Sequence, residues 1–273
     1  MLTILAFLVT GHLSRVDRNV VYSRINDLDL KMDVYYPPGL TKPVGAVVML
    51  HGGAWIGGSR DEMSEIAESA ATAGLLVANI SYRLAPKYKW PAMIVDAESA
   101  VRYLRFHCDQ YRIQPDRIGA VGFSAGAQIA LLLGMTENWQ KPPMPFPGYS
   151  SRVNAVIDIS GPTDLTNGLG PSLDAVYPLV LGKNKQDALN ECRKASPVNL
   201  ADMATVPIYL IHGAQDSLVP LSQAKALEAK LTANKTVSVS EYLPDVAHSL
   251  AGSAIKGAIR RALGWMAREF SNK

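Results

Sequence analysis

The chain has 273 residues, 48% of them hydrophobic and 19% charged, with 27 basic and 24 acidic side chains and a net charge of +3. This composition is far from a disordered polyampholyte, and so slight a positive excess does not suit a protein that grips a phosphate backbone, so no nucleic-acid partner is expected. Two cysteines, Cys108 and Cys192, cannot build a disulfide scaffold or a four-thiolate zinc site, and the low charged fraction points to one large buried core.

The apolar run from Leu2 to Val9 is far short of the roughly 18–20 residues that span a bilayer, so no stable membrane insertion is expected. No Lys or Arg precedes it and no Ala-x-Ala site follows. It reads as a leading strand or helix packed on the domain, with a residual export signal as the alternative. Residues 20–24 and 28–36 read as strands; in the second, Leu28, Leu30, Met32, Val34 and Tyr36 alternate on one face. A continuous apolar run over 44–50 ends in His51-Gly52-Gly53-Ala54-Trp55. A helix over 61–73, stopped by Gly74, precedes a strand over 75–80. Pro91 opens a long helix with Ile94, Ala97, Val101 and Leu104 on one face. A strand over 118–123 runs straight into a helix over 125–135. Strands over 153–159, 206–211 and 237–243 follow, with helices over 221–231 and 255–270.

Alternation of this kind implies a single α/β domain over residues 1–273, with a mostly parallel sheet of about eight strands covered by helices on both faces. Two stretches are too irregular for a regular element. One is 137–150, with prolines at 142, 143, 145 and 147; the other is 163–197, with two short helical patterns. Both are expected to form pocket walls or a reduced cap. Trp55, Trp139 and Phe146 are candidates to line the cleft, with core packing or solvent shielding as the alternative.

Gly122-Phe123-Ser124-Ala125-Gly126 matches G-x-S-x-G between a predicted strand and a predicted helix, the context this motif requires. Small neighbours allow a strained turn that lifts the serine hydroxyl clear of the sheet, and the helix dipole favours negative charge there. A serine needs a base. His248, after the last predicted strand, is the candidate. His12 and His107 read as surface residues, His212 as a structural hydrogen-bonding group, and His51 as a brace for the glycine turn. Asp216, just past the 206–211 strand, is the candidate acid that orients the imidazole. Asp164 is its main competitor, and Asp245 is better placed to cap or bend its own loop. The order Ser124, Asp216, His248 is that of the α/β-hydrolases. Backbone amides of the His51–Trp55 loop are suited to stabilise an oxyanion. Gly57-Gly58 lacks the Gly-Lys-Ser/Thr of a phosphate loop.

Together, HGGAW, SYRLAP at 81–86, WPAMIVDAESAVRYLR at 90–105, GFSAG, GPTDL at 161–165, ASPV at 195–198 and IHGAQD at 211–216 resemble the α/β-hydrolase serine esterases. More narrowly, the chain is similar to the hormone-sensitive-lipase-like group and the bacterial feruloyl and acetylxylan esterases. The resemblance implies an oxyanion hole from the amides of Gly53, Ala54 and Ala125. It departs from the family at Ala54, where many relatives carry glycine, and at Ala127-Gln128, where relatives often show Gly-His. The helical N-terminal cap of many relatives is expected to be absent or reduced. The implied activity is hydrolysis of small carboxylic esters through an acyl-enzyme, on short-chain or aryl esters because no long apolar lid is present. Trp55 and Phe123 are candidate substrate contacts. Kynurenine formamidase, which shares the HGG-x-W pattern, and an inactive ligand-binding relative are the alternatives. No cofactor or metal is expected, since no His/Cys/Asp/Glu cluster has ligand spacing. A homodimer is compatible with the sequence. On the closing helix, Lys256, Arg260, Arg261 and Arg268 lie opposite Ile255, Ile259, Leu263, Met266 and Phe270, a solvated face over a core-packed stripe.

Overall fold

The computed structural model describes residues 15–141, 144–167 and 169–271. The N-terminal apolar run, His12, Pro142 and Pro143 lie outside them. Eight strands form one sheet: β1 (Val16–Ile25), β2 (Leu28–Tyr35), β3 (Val44–Leu50), β4 (Leu76–Ile80), β5 (Ile113–Phe123), β6 (Val156–Ile159), β7 (Ile208–Gly213) and β8 (Ser238–Leu243). Their spatial order is β1-β2-β4-β3-β5-β6-β7-β8. The β1–β2 and β2–β4 pairs are antiparallel and the other five are parallel. Strands β3 to β8 therefore all end at the same edge, where the site is built.

The uninterrupted apolar runs follow from burial on both faces. Along β3, Ala46, Val48 and Leu50 join one core with the helices α2 (Ala92–Phe106), α4 (Ala125–Met135) and α8 (Ser222–Ala233). Val47 and Met49 join the other core, with α1 (Ser64–Thr72) and α9 (Ser253–Ser271). Every residue of α4 is buried, which explains why its sequence is apolar all round rather than on one stripe. On α9 the stripe Ile255, Ile259, Leu263, Met266 and Phe270 is buried, while Lys256 pairs with Glu65 at 2.7 Å and Arg261 with Glu241. Among the described residues, no helix is long and apolar enough to cross a membrane.

Boundaries differ from the sequence expectation where polar residues hide a regular backbone. β5 begins at Ile113, ahead of the polar run Gln114-Pro115-Asp116, and its register with β3 shifts between Val44 and Ala46. Such an irregularity is where a strand tolerates proline. The helix expected over 61–73 starts instead as a 3-10 turn, Arg60–Met63, set by a Ser59/Glu62 capping box, before α1 takes over. Between β6 and β7 the described residues form three short α-helices, α5 (Pro171–Asp174), α6 (Tyr177–Leu181) and α7 (Leu189–Lys194), and then two 3-10 turns, Pro197–Asn199 and Ala201–Met203; the sequence suggested two short helical patterns over 163–197. A one-turn helix, α3 (Cys108–Tyr111), links α2 to β5. Both cysteines are free.

Candidate active site

The site is set by a backbone that only small residues permit. Ser124, between β5 and α4, has φ 54° and ψ −121°, a conformation that costs about 1–3 kcal/mol for a residue with a side chain. Its amide is held by the Ile159 carbonyl at 2.8 Å. The turn closes on itself, so that a Cβ on Gly122 would overlap the Gly126 carbonyl. A Cβ on Gly126 would overlap the carbonyls of Leu50 and His51. The two glycines of the motif are thus required by contact, not by flexibility.

Ser124 Oγ lies 2.9 Å from His248 Nε2, and His248 Nδ1 lies 2.6 Å from Asp216 Oδ2. A carboxylate only accepts, so Nδ1 carries the proton and Nε2 presents its lone pair to the hydroxyl. Asp216 Oδ1 accepts the amides of Leu218 at 3.0 Å and Val219 at 2.8 Å. Burial works against the Asp216 charge, but the bonds from His248 and the Val219 amide outweigh it and hold the carboxyl below the usual Asp range. The loops that carry Asp216 and His248 are joined by Ala214 N to Leu243 O at 2.8 Å and Gln215 N to Val246 O at 2.9 Å. Gly213 is needed there, because a Cβ would strike the Val246 carbonyl.

The remaining candidates stand elsewhere. Asp164 Oδ1 accepts from the amide and hydroxyl of Thr166, closing its own turn. Asp245 is exposed. His51 Nδ1 donates to the Gly52 carbonyl at 2.7 Å, and its ring stacks on Tyr82 at 4.3 Å. His212 Nε2 donates to Val219 O at 2.7 Å and sits 3.6 Å from Asp216 Oδ2. Burial lowers the basicity of both His51 and His212. His107 Nδ1 donates to Tyr103 O at 2.9 Å at the far end of α2.

The HGGAW loop abuts the serine: a Cβ on Gly52 would lie 3.3 Å from Ser124 Cβ. Gly53, Ala54 and Trp55 have φ of 108°, 50° and 62°, three successive left-handed residues of which two carry side chains. Among the described residues, the amides of Gly53, Ala54, Trp55 and Ala125 meet no acceptor. Unpaired amides beside a serine hydroxyl that faces an imidazole, one of them at a helix N-terminus, suit a developing negative charge.

Trp55 is buried and borders a wholly apolar cavity of about 20 Å³ lined also by Trp90, Leu165, Leu173, Tyr177 and Ala195. Phe123 is not on that wall; its ring packs on His248 with centroids 5.0 Å apart. Trp139 stands behind the cavity, edge-on to Trp90 at 5.5 Å. The expected place of Phe146 in the cleft is not what the structure has. It packs on Tyr103 and Phe106, at the end of α2 remote from Ser124. The stretch around it lies over α2, where buried Glu98 accepts the amides of Trp139 and Gln140. Gln128 was missed as a site residue. It is fully buried and touches the indole of Trp55, and its only sequence signal was the departure from Gly-His after Gly126. A cleft of about 650 Å³ opens beside Arg105, Arg117 and Arg152 at the opposite edge of the sheet, with no histidine or cysteine among its lining residues. Among the described residues, no group of three or more His, Cys, Asp or Glu could hold a metal ion.

The sequence matches the BD-FAE family over residues 32–231, a span that includes Ser124 and Asp216. The chain belongs to the BD-FAE family. Its relatives include esterase LipC of Mycobacterium tuberculosis, 29% identical over 76% of this chain and 53% of that protein. The probable carboxylic ester hydrolase LipM of the same organism is 30% identical, over 85% of this chain and 56% of its own length. The chain thus spans about half the length of these curated relatives. Among solved structures, a thermophilic esterase from Thermogutta terrifontis with butyrate bound superposes with a TM-score of 0.81 at 22% identity, covering 96% of each chain. That likeness, with the mostly parallel eight-stranded sheet, identifies the α/β-hydrolase fold in this BD-FAE protein. His248 lies beyond the matched BD-FAE span, on the loop that follows β8.

Proposed function

We propose that this chain is a serine carboxylic-ester hydrolase for short-chain or aryl esters. The observation that carries the reading is the unbroken relay from Ser124 through His248 to Asp216, set beside unpaired amides of the HGGAW loop. Ser124 Oγ attacks the ester carbonyl carbon as its proton passes to His248 Nε2. Asp216 steadies the resulting imidazolium through Nδ1, and the amides of Gly53, Ala54 and Ala125 receive the oxyanion. Collapse expels the alcohol, which takes the proton from Nε2 and leaves an acyl-serine. Water, deprotonated by the same nitrogen, attacks the acyl carbon; collapse of that second intermediate returns the proton to Ser124 and releases the acid.

The apolar cavity beside Trp55 supports a short acyl group, since its free space is on the order of one methyl-sized or water-sized body. The esterase names of the relatives favour an ester over the formamide of a kynurenine formamidase. An inactive ligand binder is disfavoured by the intact relay. The single domain over 1–273, with residues 163–197 as a reduced cap, belongs to the same reading.

The test is turnover of nitrophenyl esters of increasing acyl length, with acetylated xylan, feruloyl esters and N-formylkynurenine alongside and Ser124→Ala as blank. Hydrolysis of the acetyl to butyryl esters that vanishes in the Ser124→Ala protein is expected. Equal turnover by both proteins removes the mechanism, and preference for N-formylkynurenine replaces the substrate class. The Thermogutta terrifontis esterase is phosphorylated by paraoxon, so the same reagent offers a direct label for Ser124.

A further inference from the structure

The strained HGGAW loop has to be held from outside, because two of its three left-handed residues have side chains. Its backbone supplies part of the restraint, with Ile56 and Gly57 donating to the Gly53 carbonyl at 3.0 and 2.9 Å, and Ala85 donating to Trp55 O at 2.9 Å. The Tyr82 hydroxyl donates to the His51 carbonyl at 2.7 Å, and a further restraint is a side chain from the helix that carries Ser124. Gln128 Oε1 accepts the indole N–H of Trp55 at 3.1 Å, and Gln128 Nε2 donates to the Ala195 carbonyl at 2.7 Å. The Gln128 amide itself donates to Ser124 O at 3.2 Å. Gln128 has no solvent exposure, so neither Trp55 nor Ala195 can find water in its place.

From these contacts we infer that Gln128 is a positioning residue. It locks the HGGAW loop and the pocket-lining segment at Ala195 to the helix that carries Ser124. This inference rests on the esterase reading above. The geometry explains why one amide side chain serves both ends. The indole needs an acceptor and the carbonyl a donor, and the side-chain amide of Gln128 presents both from one planar head. Trp55 and Ala195 both line the apolar cavity, so Gln128 fixes the spacing of two of its lining residues as well as the placement of the neighbouring Ala54 amide. A displacement of about 1 Å in a catalytic donor can cost on the order of a hundredfold in rate.

The test compares Gln128→Met, Trp55→Phe and the double variant in the full chain, using nitrophenyl acetate and nitrophenyl butyrate. Paraoxon titration of active sites counts the competent fraction, so poor folding lowers the number of sites and not the turnover per site. Gln128→Met is expected to lower kcat per site about tenfold or more while KM changes less than threefold. The double variant is expected to be no slower than the slower single variant, because both remove the same link. The acetate-to-butyrate preference is expected to relax as the cavity loosens. Turnover per site within twofold of the parent in Gln128→Met overturns the inference, as do losses that multiply in the double variant. If Gln128→Met yields no competent sites, Trp55→Phe alone decides: an unchanged kcat per site removes the link. Should the parent protein neither hydrolyse the esters nor take the paraoxon label, it is the esterase reading that fails.

Discussion

Gly126 packs against the His51 carbonyl so closely that no side chain fits between them. The start of the nucleophile helix and the start of the glycine loop are therefore in backbone contact, and neither can shift alone. Alanine at 126 would gain about 1 kcal/mol of helix propensity, against overpacking that typically costs about 1–3 kcal/mol. Here the overlap is with two backbone carbonyls that cannot rotate away, so the upper end applies. Gly126→Ala is expected to lose about 2 kcal/mol net in urea unfolding together with most ester turnover. A midpoint equal to that of the parent would show that the turn is looser than described.

Asp216→Asn separates orientation from folding. The asparagine Oδ1 still accepts the Leu218 and Val219 amides, but an NH2 group now faces His248 and forces the other tautomer, with the proton directed at Ser124. A loss of kcat of about 10⁴-fold is expected, with a small change in stability at neutral pH. The carboxyl of Asp216 is held below the usual range, so its stabilising share is present above about pH 4 and disappears as pH falls through the folded value. The stability difference between variant and parent should shrink below pH 4. Parent-like turnover by the asparagine protein would remove Asp216 from the relay.

His51 and His212 are both buried and less basic than free histidine. Unfolded chains take up protons there near pH 6.5, whereas the folded protein does so only at lower pH. Their contribution therefore favours the folded state above about pH 6.5 and is lost as pH drops below it. His51→Asn retains an N–H for Gly52, and His212→Gln retains one for Val219. The double variant is expected to lose less stability between pH 7 and pH 5 than the parent, followed as urea midpoints. Parallel curves would show that neither ring matters to acid unfolding.

Asp158 has the opposite sign. It is buried on β6, and that burial, only partly offset by the Gly161 amide at 2.8 Å, pushes its carboxyl up to about 7. The unfolded chain ionises it near pH 4, so it costs progressively more as pH rises toward 7 and a constant amount beyond. Asp158→Asn, which mimics the neutral acid, should be more stable than the parent at pH 8. The advantage should vanish near pH 4, and an asparagine protein less stable at pH 8 would refute the buried-acid account.

Much of this site was legible because its constraints are local. Gly122 and Gly126 flank Ser124 at a fixed spacing that backbone contact imposes, and the apolar runs of β3 and β5 mark strands covered on both faces. His248 was legible only through its order in the chain, since nothing in Val246-Ala247-His248 marks it. Its distance of 2.9 Å from Ser124, 124 positions away, is a product of the whole sheet. Phe146 was misplaced because a proline-rich stretch says that the chain is irregular and not which end of the sheet it covers. Gln128 was noticed as an oddity but not understood, because both of its partners come from other segments.

On the proposed reading, the reacting residues and most of the cavity wall come from different parts of this chain. Ser124, Asp216 and His248 follow β5, β7 and β8, whereas Leu165, Leu173, Tyr177 and Ala195 of the cavity wall all come from the single excursion between β6 and β7. That excursion leaves and re-enters the sheet beside strands already paired on both sides. On the same reading the excursion is a replaceable cassette: grafting the corresponding segment from an esterase should shift the preferred acyl group while leaving Ser124, Asp216 and His248 in place.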